Sequence, residues 1–175
     1  MTNTSVSDVT YRNATAADAP LMSRLGPRTF AETFGHLYTP ENLAAFLLNH
    51  SVENWTAELT DPRFTVRIAE QDGEAVGFAK VGPPSLPFEV TGPTAELRQL
   101  YVLGPWQGTG VAGALMEWVL EEARGRGAEQ IFLSVFVDNH RAQRFYARYG
   151  FEAVGTYAFM VGSHADEDII MRARL

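Results

Sequence analysis

The chain has no cysteine among its 175 residues. That excludes disulfides, a thiol nucleophile and any cysteine-ligated zinc site. It has no His-Glu-x-x-His and no Gly-x-Ser-x-Gly, so neither a zinc peptidase nor a serine hydrolase is signalled, and no metal is called for. No apolar run is long enough to span a bilayer. Basic residues are few: 14 Lys and Arg stand against 21 Asp and Glu, a formal charge of −7. An acidic surface disfavours nucleic acid and anionic membranes and tolerates cationic partners. The opening "MTNTSVSDVT" lacks the basic start and apolar run of a signal peptide, so a soluble cytoplasmic protein is the expectation. No repeat or composition shift divides residues 1–175, which read as one domain with 46% hydrophobic residues to build its core.

What is present changes period along the chain. A short first strand is expected near Val6–Tyr11. Thr15 then suits the cap of a helix carrying Leu21, Leu25 and Phe30, which Pro27 is expected to kink or break. Thr39-Pro40 and Ser51 open two further helices. "RFTVRIAE" and "AVGFAKVG" read as strands joined by an Asp72-Gly73 hairpin turn. A Pro/Gly-rich loop, "GPPSLPFEVTGP", precedes the strand "AELRQLYVL". After a helix ending near Gly125 or Gly127, "IFLSVFV" has the unbroken apolar run of a strand buried on both faces. Asn139 caps "HRAQRFYARY", and two strands, "FEAVGTYAFM" and "DIIMRARL", finish the chain around a polar loop, "GSHADED". The class is mixed α/β (α+β) around one sheet.

Between the strand and the helix lies "VLGPWQGTGVAGAL", with a formal G-x-G-x-x-G at Gly108–Gly113. A Rossmann dinucleotide site would put its first glycine at the strand end, but Leu103-Gly-Pro-Trp-Gln intervenes. Too little chain follows Asp138 for a doubly wound sheet, and no Lys-Ser/Thr follows the glycines to make a P-loop. Glycines serving only a turn would cost about 1 kcal/mol each relative to Ala wherever they are helical. Bare amides at a helix N-terminus suit an anion better. Gln107, Gly108, Thr109, Gly110, Val111 and Ala112 would form that phosphate nest.

The stretch Gln107-x-x-Gly110-x-Ala112, preceded by "LRQLYVLGPW" and followed by N-x-x-A-x-x-F-Y-x-x-x-G-F at Asn139–Phe151, resembles the GNAT N-acetyltransferase superfamily. "TFG" at Thr33–Gly35 and the Asp168–Met171 run resemble bacterial spermidine/spermine N-acetyltransferases. The resemblance implies a mostly antiparallel central sheet, with two parallel strands splaying apart in its middle and helices on both faces. It implies acetyl-CoA as co-substrate. Its pantetheine arm would lie along the backbone of Leu100, Tyr101 and Val102, its pyrophosphate on the Gln107–Ala112 amides, and its thiol end beside Asn139.

Acetyl transfer to an amine needs a proton removed from nitrogen and one supplied to the leaving thiolate. On the resemblance, Glu96 is the candidate base, with His36 and His164 as lesser ones, and Tyr146 is the candidate acid. The backbone N–H of Leu100 or Tyr101 could stabilise the oxyanion. The plainer readings are a strand-edge carboxylate for Glu96 and a packed helix residue for Tyr146. Glu32, Tyr38 and Glu41 on one wall, with His164, Asp166 and Asp168 on the other, are candidates to receive a cationic acceptor. The expected reaction is direct transfer to a small, polyamine-like amine. The alternatives are a protein N-terminus or lysine as acceptor, or a CoA-binding module without catalysis. An apolar strand at Ile169–Met171, if at a sheet edge, would favour a homodimer.

Overall fold

A computed structural model describes residues 8–175. Its strands are β1 (Thr10–Asn13), β2 (Thr65–Gln71), β3 (Glu74–Gly82), β4 (Thr94–Val102), β5 (Gln130–Phe136), β6 (Glu152–Val161) and β7 (His164–Arg174). They form one sheet in the order β1-β2-β3-β4-β5-β7-β6. Among the described residues only the β4–β5 pair is parallel. Helices α1 (Ala19–Phe34), α2 (Pro40–Leu47) and α3 (Val52–Leu59) precede β2, α4 (Val111–Gly125) joins β4 to β5, and α5 (His140–Arg148) joins β5 to β6. Val6 and Ser7, the start of the expected first strand, lie outside the described residues.

Each face of the sheet buries a helix stripe. Val111, Leu115, Met116 and Val119 of α4 pack on one side with Leu97, Ile131 and Leu133. On the other, Met22 and Leu25 of α1 and Trp55 of α3 pack on Ile68 and Phe78. Three of the four expected caps act as their sequence positions suggest; Thr15 instead precedes a 3-10 turn at Ala16–Asp18, and Asp18 takes the cap position of α1. Thr39 Oγ1 accepts from Asn42 N at 3.2 Å, Ser51 Oγ from Asn54 N at 3.1 Å and Asn139 Oδ1 from Ala142 N at 3.2 Å. The hairpin turn puts Asp72 at φ 53° and Gly73 at φ 79°, the two positive values a tight two-residue turn needs. Replacing Asn139 by Ala should cost about 1 kcal/mol of stability, the usual worth of an N-cap, read as a lower urea midpoint at unchanged slope.

Three expectations change. Pro27 does not break α1, which runs through it. Buried Met22, Leu25 and Phe30 hold the two halves on one face, offsetting the roughly 3 kcal/mol that an interior proline costs. The polar stretch before Ile169 is not a loop: the turn is confined to Gly162-Ser163, and β7 begins at His164. Finally, β7 is not an edge strand. It pairs with β5 and β6 on its two sides, and Ile170 and Met171 are buried. The homodimer expectation loses that ground, since the edge on this side is β6.

Candidate active site

The parallel pair in the middle of the sheet is joined for only three residue pairs, Thr94↔Gln130, Ala95↔Ile131 and Glu96↔Phe132. β4 continues to Val102 against β3, and β5 continues to Phe136 against β7. The two strands therefore diverge, and the sides they turn to each other beyond Glu96 and Phe132 have no ladder between them. A bulge at Arg98, opposite the Lys80–Val81 step, shifts the register of β4 at the start of the gap. A cavity of about 870 Å³ fills the V.

One end of this cavity is the start of α4. Gly108 (φ 75°) and Gly110 (φ 96°) adopt left-handed backbone that other residues rarely take. They turn the chain so that the first-turn amides of α4, which have no intrahelical acceptors, open toward the cleft. Gln107, Gly108, Gly110 and Ala112 line the cavity. Gln107 Nε2 donates to Val102 O at 3.0 Å and ties the loop to the end of β4. The other two nest residues face elsewhere: the Thr109 hydroxyl donates to Trp106 O, and the Val111 side chain is wholly buried in the core. Val111 keeps only its backbone for a ligand, and the backbone N–H groups of Thr109 and Gln107 already donate to Trp106 O at 3.4 Å and Gly104 O at 3.1 Å. Arg141, the second residue of α5, comes close to Gly108: a Cβ added there would lie 3.5 Å from its Nη2. Positive amides, a helix N-terminus and a guanidinium converge here, a donor set that fits phosphates.

Along the middle, Leu100, Tyr101 and Val102 line one wall, while Asn139 and Tyr146 line the other. Burial pushes the Tyr146 phenol up to about 12, so it stays protonated throughout the neutral range. Tyr101 is pushed up as well, by burial and by the neighbouring Tyr146 and Asp168.

The opposite end is aromatic and acidic. Phe30, Phe34 and Phe159 line it with Tyr38, Asp166 and Asp168. Strand register puts Asp166 opposite Phe159, and Asp168 opposite both Tyr157 and Phe136, so all five share one face. The Tyr38 hydroxyl donates to Asp166 Oδ2, and His164 Nε2 lies 3.0 Å from Asp166 Oδ1. Burial first, then the charge of Asp166, raises the Asp168 carboxyl to about 6.

Other expected site residues do not line this cleft. Glu96 is buried at 4% exposure and holds the 83–93 loop: its carboxylate accepts from Ser85 N, Leu86 N and Ser85 Oγ, and pairs with Arg98. Glu32 Oε1 accepts from Gly104 N at 2.7 Å, a contact that fastens α1 to the loop after β4. His36 and Glu41 are exposed and do not line the cavity.

The profile of the acetyltransferase (GNAT) family matches residues 28–151. The chain belongs to that family. An uncharacterized N-acetyltransferase of Mycobacterium tuberculosis is 37% identical over 155 residues, covering 88% of this chain and 96% of that one. The L-amino acid N-acetyltransferase AaaT of Escherichia coli is 32% identical over 125 residues, 69% of this chain and 75% of that one. Among solved structures, the paiA N-acetyltransferase of Thermoplasma acidophilum in complex with coenzyme A superposes with TM-score 0.78 at 19% identity, over 95% of this chain and 99% of that one. That last likeness is one of fold. The GNAT sheet, with one splayed parallel pair, is the architecture observed, and the chain is an acetyltransferase.

The GNAT cleft also contains residues that sequence reading missed. Arg141 sits inside the family motif, at an x position. Ser134, within a strand that reads as purely apolar, lines the cavity, and its hydroxyl lies 3.1 Å from that of Tyr157. A lone serine in "IFLSVFV" was the available signal. Among the described residues no three His, Asp or Glu side chains gather as a metal site, and no helix is long and apolar enough to cross a membrane.

Proposed function

We propose that this acetyltransferase moves the acetyl group of acetyl-CoA directly to a primary amine of a small cationic molecule. The observation that carries the reading is that one cavity joins the amide nest at Gln107–Ala112 to the acidic end at Asp166 and Asp168. A donor and an acceptor can then occupy it together, without a covalent enzyme stage.

Bound acetyl-CoA supplies an activated acetyl thioester. The chain's own residues do the rest. The nest amides and Arg141 hold the phosphates. The β4 backbone at Leu100–Val102, without partners on the β5 side, offers hydrogen bonds to an extended arm, and the N–H of Leu100 or of Tyr101, whichever the strand turns away from β3, can face a developing oxyanion. Tyr146 Oη holds the proton destined for the leaving sulfur, and Asn139 fixes the helix that carries Tyr146.

Two features support a cation as acceptor. Asp166 and Asp168 supply negative charge, and Phe30, Phe34, Tyr38 and Phe159 supply aromatic surface beside it. An amino-acid acceptor, such as the name of the Escherichia coli relative states, brings a carboxylate that needs a cation. Arg98, the arginine that β4 presents to the cavity, is engaged through Nε and Nη2, which donate to Pro83 O at 2.9 and 2.7 Å, and it pairs with Glu96; the other two lining arginines, Arg141 and Arg148, stand on α5. The test is a panel of polyamines, amino acids, aminoglycosides and peptides, read by CoA release. Polyamines and other amines without a nearby carboxylate should lead it. Turnover of amino acids alone would exclude the cationic reading, and binding of NADH without acetyl-CoA would exclude the donor.

A further inference from the structure

We propose that Asp168 takes the proton from the bound ammonium, and that Asp166 positions and charges the site without reacting. The proposal rests on the amine-acetylating reading of the cleft.

Three carboxylates stand in or beside the cleft, and their hydrogen-bond donors tell them apart. A carboxylate offers about four acceptor directions. Those of Glu96 are filled: Oε1 accepts from Ser85 N at 2.8 Å and Leu86 N at 3.1 Å, while Oε2 accepts from Ser85 Oγ at 2.8 Å and faces Arg98 Nε at 2.9 Å. It does not line the cavity, and using it as a base would mean releasing the loop it holds. Asp166 is engaged through both oxygens, by Tyr38 and by His164. Asp168 remains. It is 6% exposed and lines the cavity, and the Ser134 hydroxyl next to it lies 3.1 Å from that of Tyr157.

The electrostatics agree with that geometry. An alkylammonium has a pKa of about 10.4, so an ordinary aspartate is a poorly matched acceptor for its proton. Burial and Asp166 bring Asp168 up to about 6, which narrows the mismatch yet leaves it ionised at neutral pH. The titratable groups facing it come from each surrounding element. They are Asp166 on its own strand, Tyr157 on β6, Tyr101 on β4 and Tyr38 ahead of α2. Arg98 and Tyr146 line the same cavity from β4 and α5. The four tyrosines are all pushed upward and remain neutral.

The step balances simply. One N–H bond of the ammonium breaks, its electron pair stays on nitrogen as the attacking lone pair, and the proton forms an O–H bond on Asp168. The proton then passes to water at the mouth of the cleft and restores the carboxylate.

The test uses the full chain, acetyl-CoA and the best amine of the panel, starting with spermidine. Asp168→Asn should lower kcat by roughly 10²–10⁴, the range of general base catalysis, with acetyl-CoA affinity unchanged. The wild-type kcat profile should fall on the acid side with a midpoint at or below about 6, because a bound cation pulls a carboxyl down. Asp168→Asn should lack that limb, and Asp168→Glu should recover part of the rate. The loss should shrink for an amine already neutral at the assay pH. Asp166→Asn should move the limb to lower pH, a readout that stands even if Asp168→Asn fails to fold. A variant Asp168→Asn that raises KM while keeping kcat and the acid limb would make Asp168 a cation-binding residue only and overturn the proposal. A wild type that acetylates no amine would instead remove the functional reading, and the proposal with it.

Discussion

Replacing Gly110 by Glu should abolish acetyl-CoA binding at concentrations that saturate the wild type. Gly110 sits at φ 96°, immediately ahead of α4, and lines the cavity at the nest. On the proposed placement of the donor, a carboxylate there would face its phosphates. Like charges brought together in an interface cost several kcal/mol, and each 1.4 kcal/mol is tenfold in affinity, so the loss should be about a thousand-fold or more. Folding should survive. The left-handed backbone costs a non-glycine residue roughly 1–2 kcal/mol, and a negative side chain at an empty helix N-terminus returns part of that. Gly110→Ala carries the backbone strain without the charge, so it should bind measurably in calorimetry where the Glu variant does not. Equal binding by the Glu variant and the wild type would remove the phosphates from this nest.

The glycine-rich half of the cleft is legible because its chemistry is written in backbone. Glycines are demanded where the chain turns left-handed, and Gly108 and Gly110 both do so. The asparagine cap at Asn139 and the apolar strand 131–136 are equally local signals, and each element formed where its residues indicated. What the motif could not show is which side chains turn inward. Thr109 and Val111 belong to the nest by position, yet one bonds Trp106 and the other enters the core.

The acidic half of the cleft is harder to read because a polar run resembles an exposed one. "HADED" has the composition of a loop, but Ala165 pairs with Met160, Asp166 with Phe159 and Asp168 with Tyr157, so the run is strand. Both aspartates are nearly buried, while Glu167 between them is exposed. That alternation is the mark of a strand with one face inside, its inner face polar here because it lines a cleft. Glu96 shows the converse. A carboxylate at the mouth of splayed strands invites a catalytic role, but the donors that claim it come from residues 85 and 86, in a loop whose path no local pattern specifies.

Tyr146→Phe should separate chemistry from binding. The ring packs between Phe145 and Phe151, with centroids 5.5 and 5.9 Å away, so the phenylalanine keeps those contacts and loses only the hydroxyl. Burial holds that hydroxyl near 12. It is therefore protonated at any working pH and can give its proton only to a base stronger than water, such as a thiolate in the act of leaving. If that proton is used, kcat should fall by roughly 10²–10⁴ while acetyl-CoA affinity changes little. Because the phenol does not titrate near neutrality, the acid limb set by Asp168 should persist in the Phe variant at its original position, with only its height reduced. A residue that merely packs would behave otherwise: turnover would persist, and the change would appear as about 1 kcal/mol of stability. Melting curves and kinetics on the same preparation distinguish the two. A folded Phe variant with normal kcat would take the proposed proton-donor role from Tyr146 and leave the proposed nest at Gly108–Ala112 untouched, since Tyr146 lies on α5 and the nest at the start of α4.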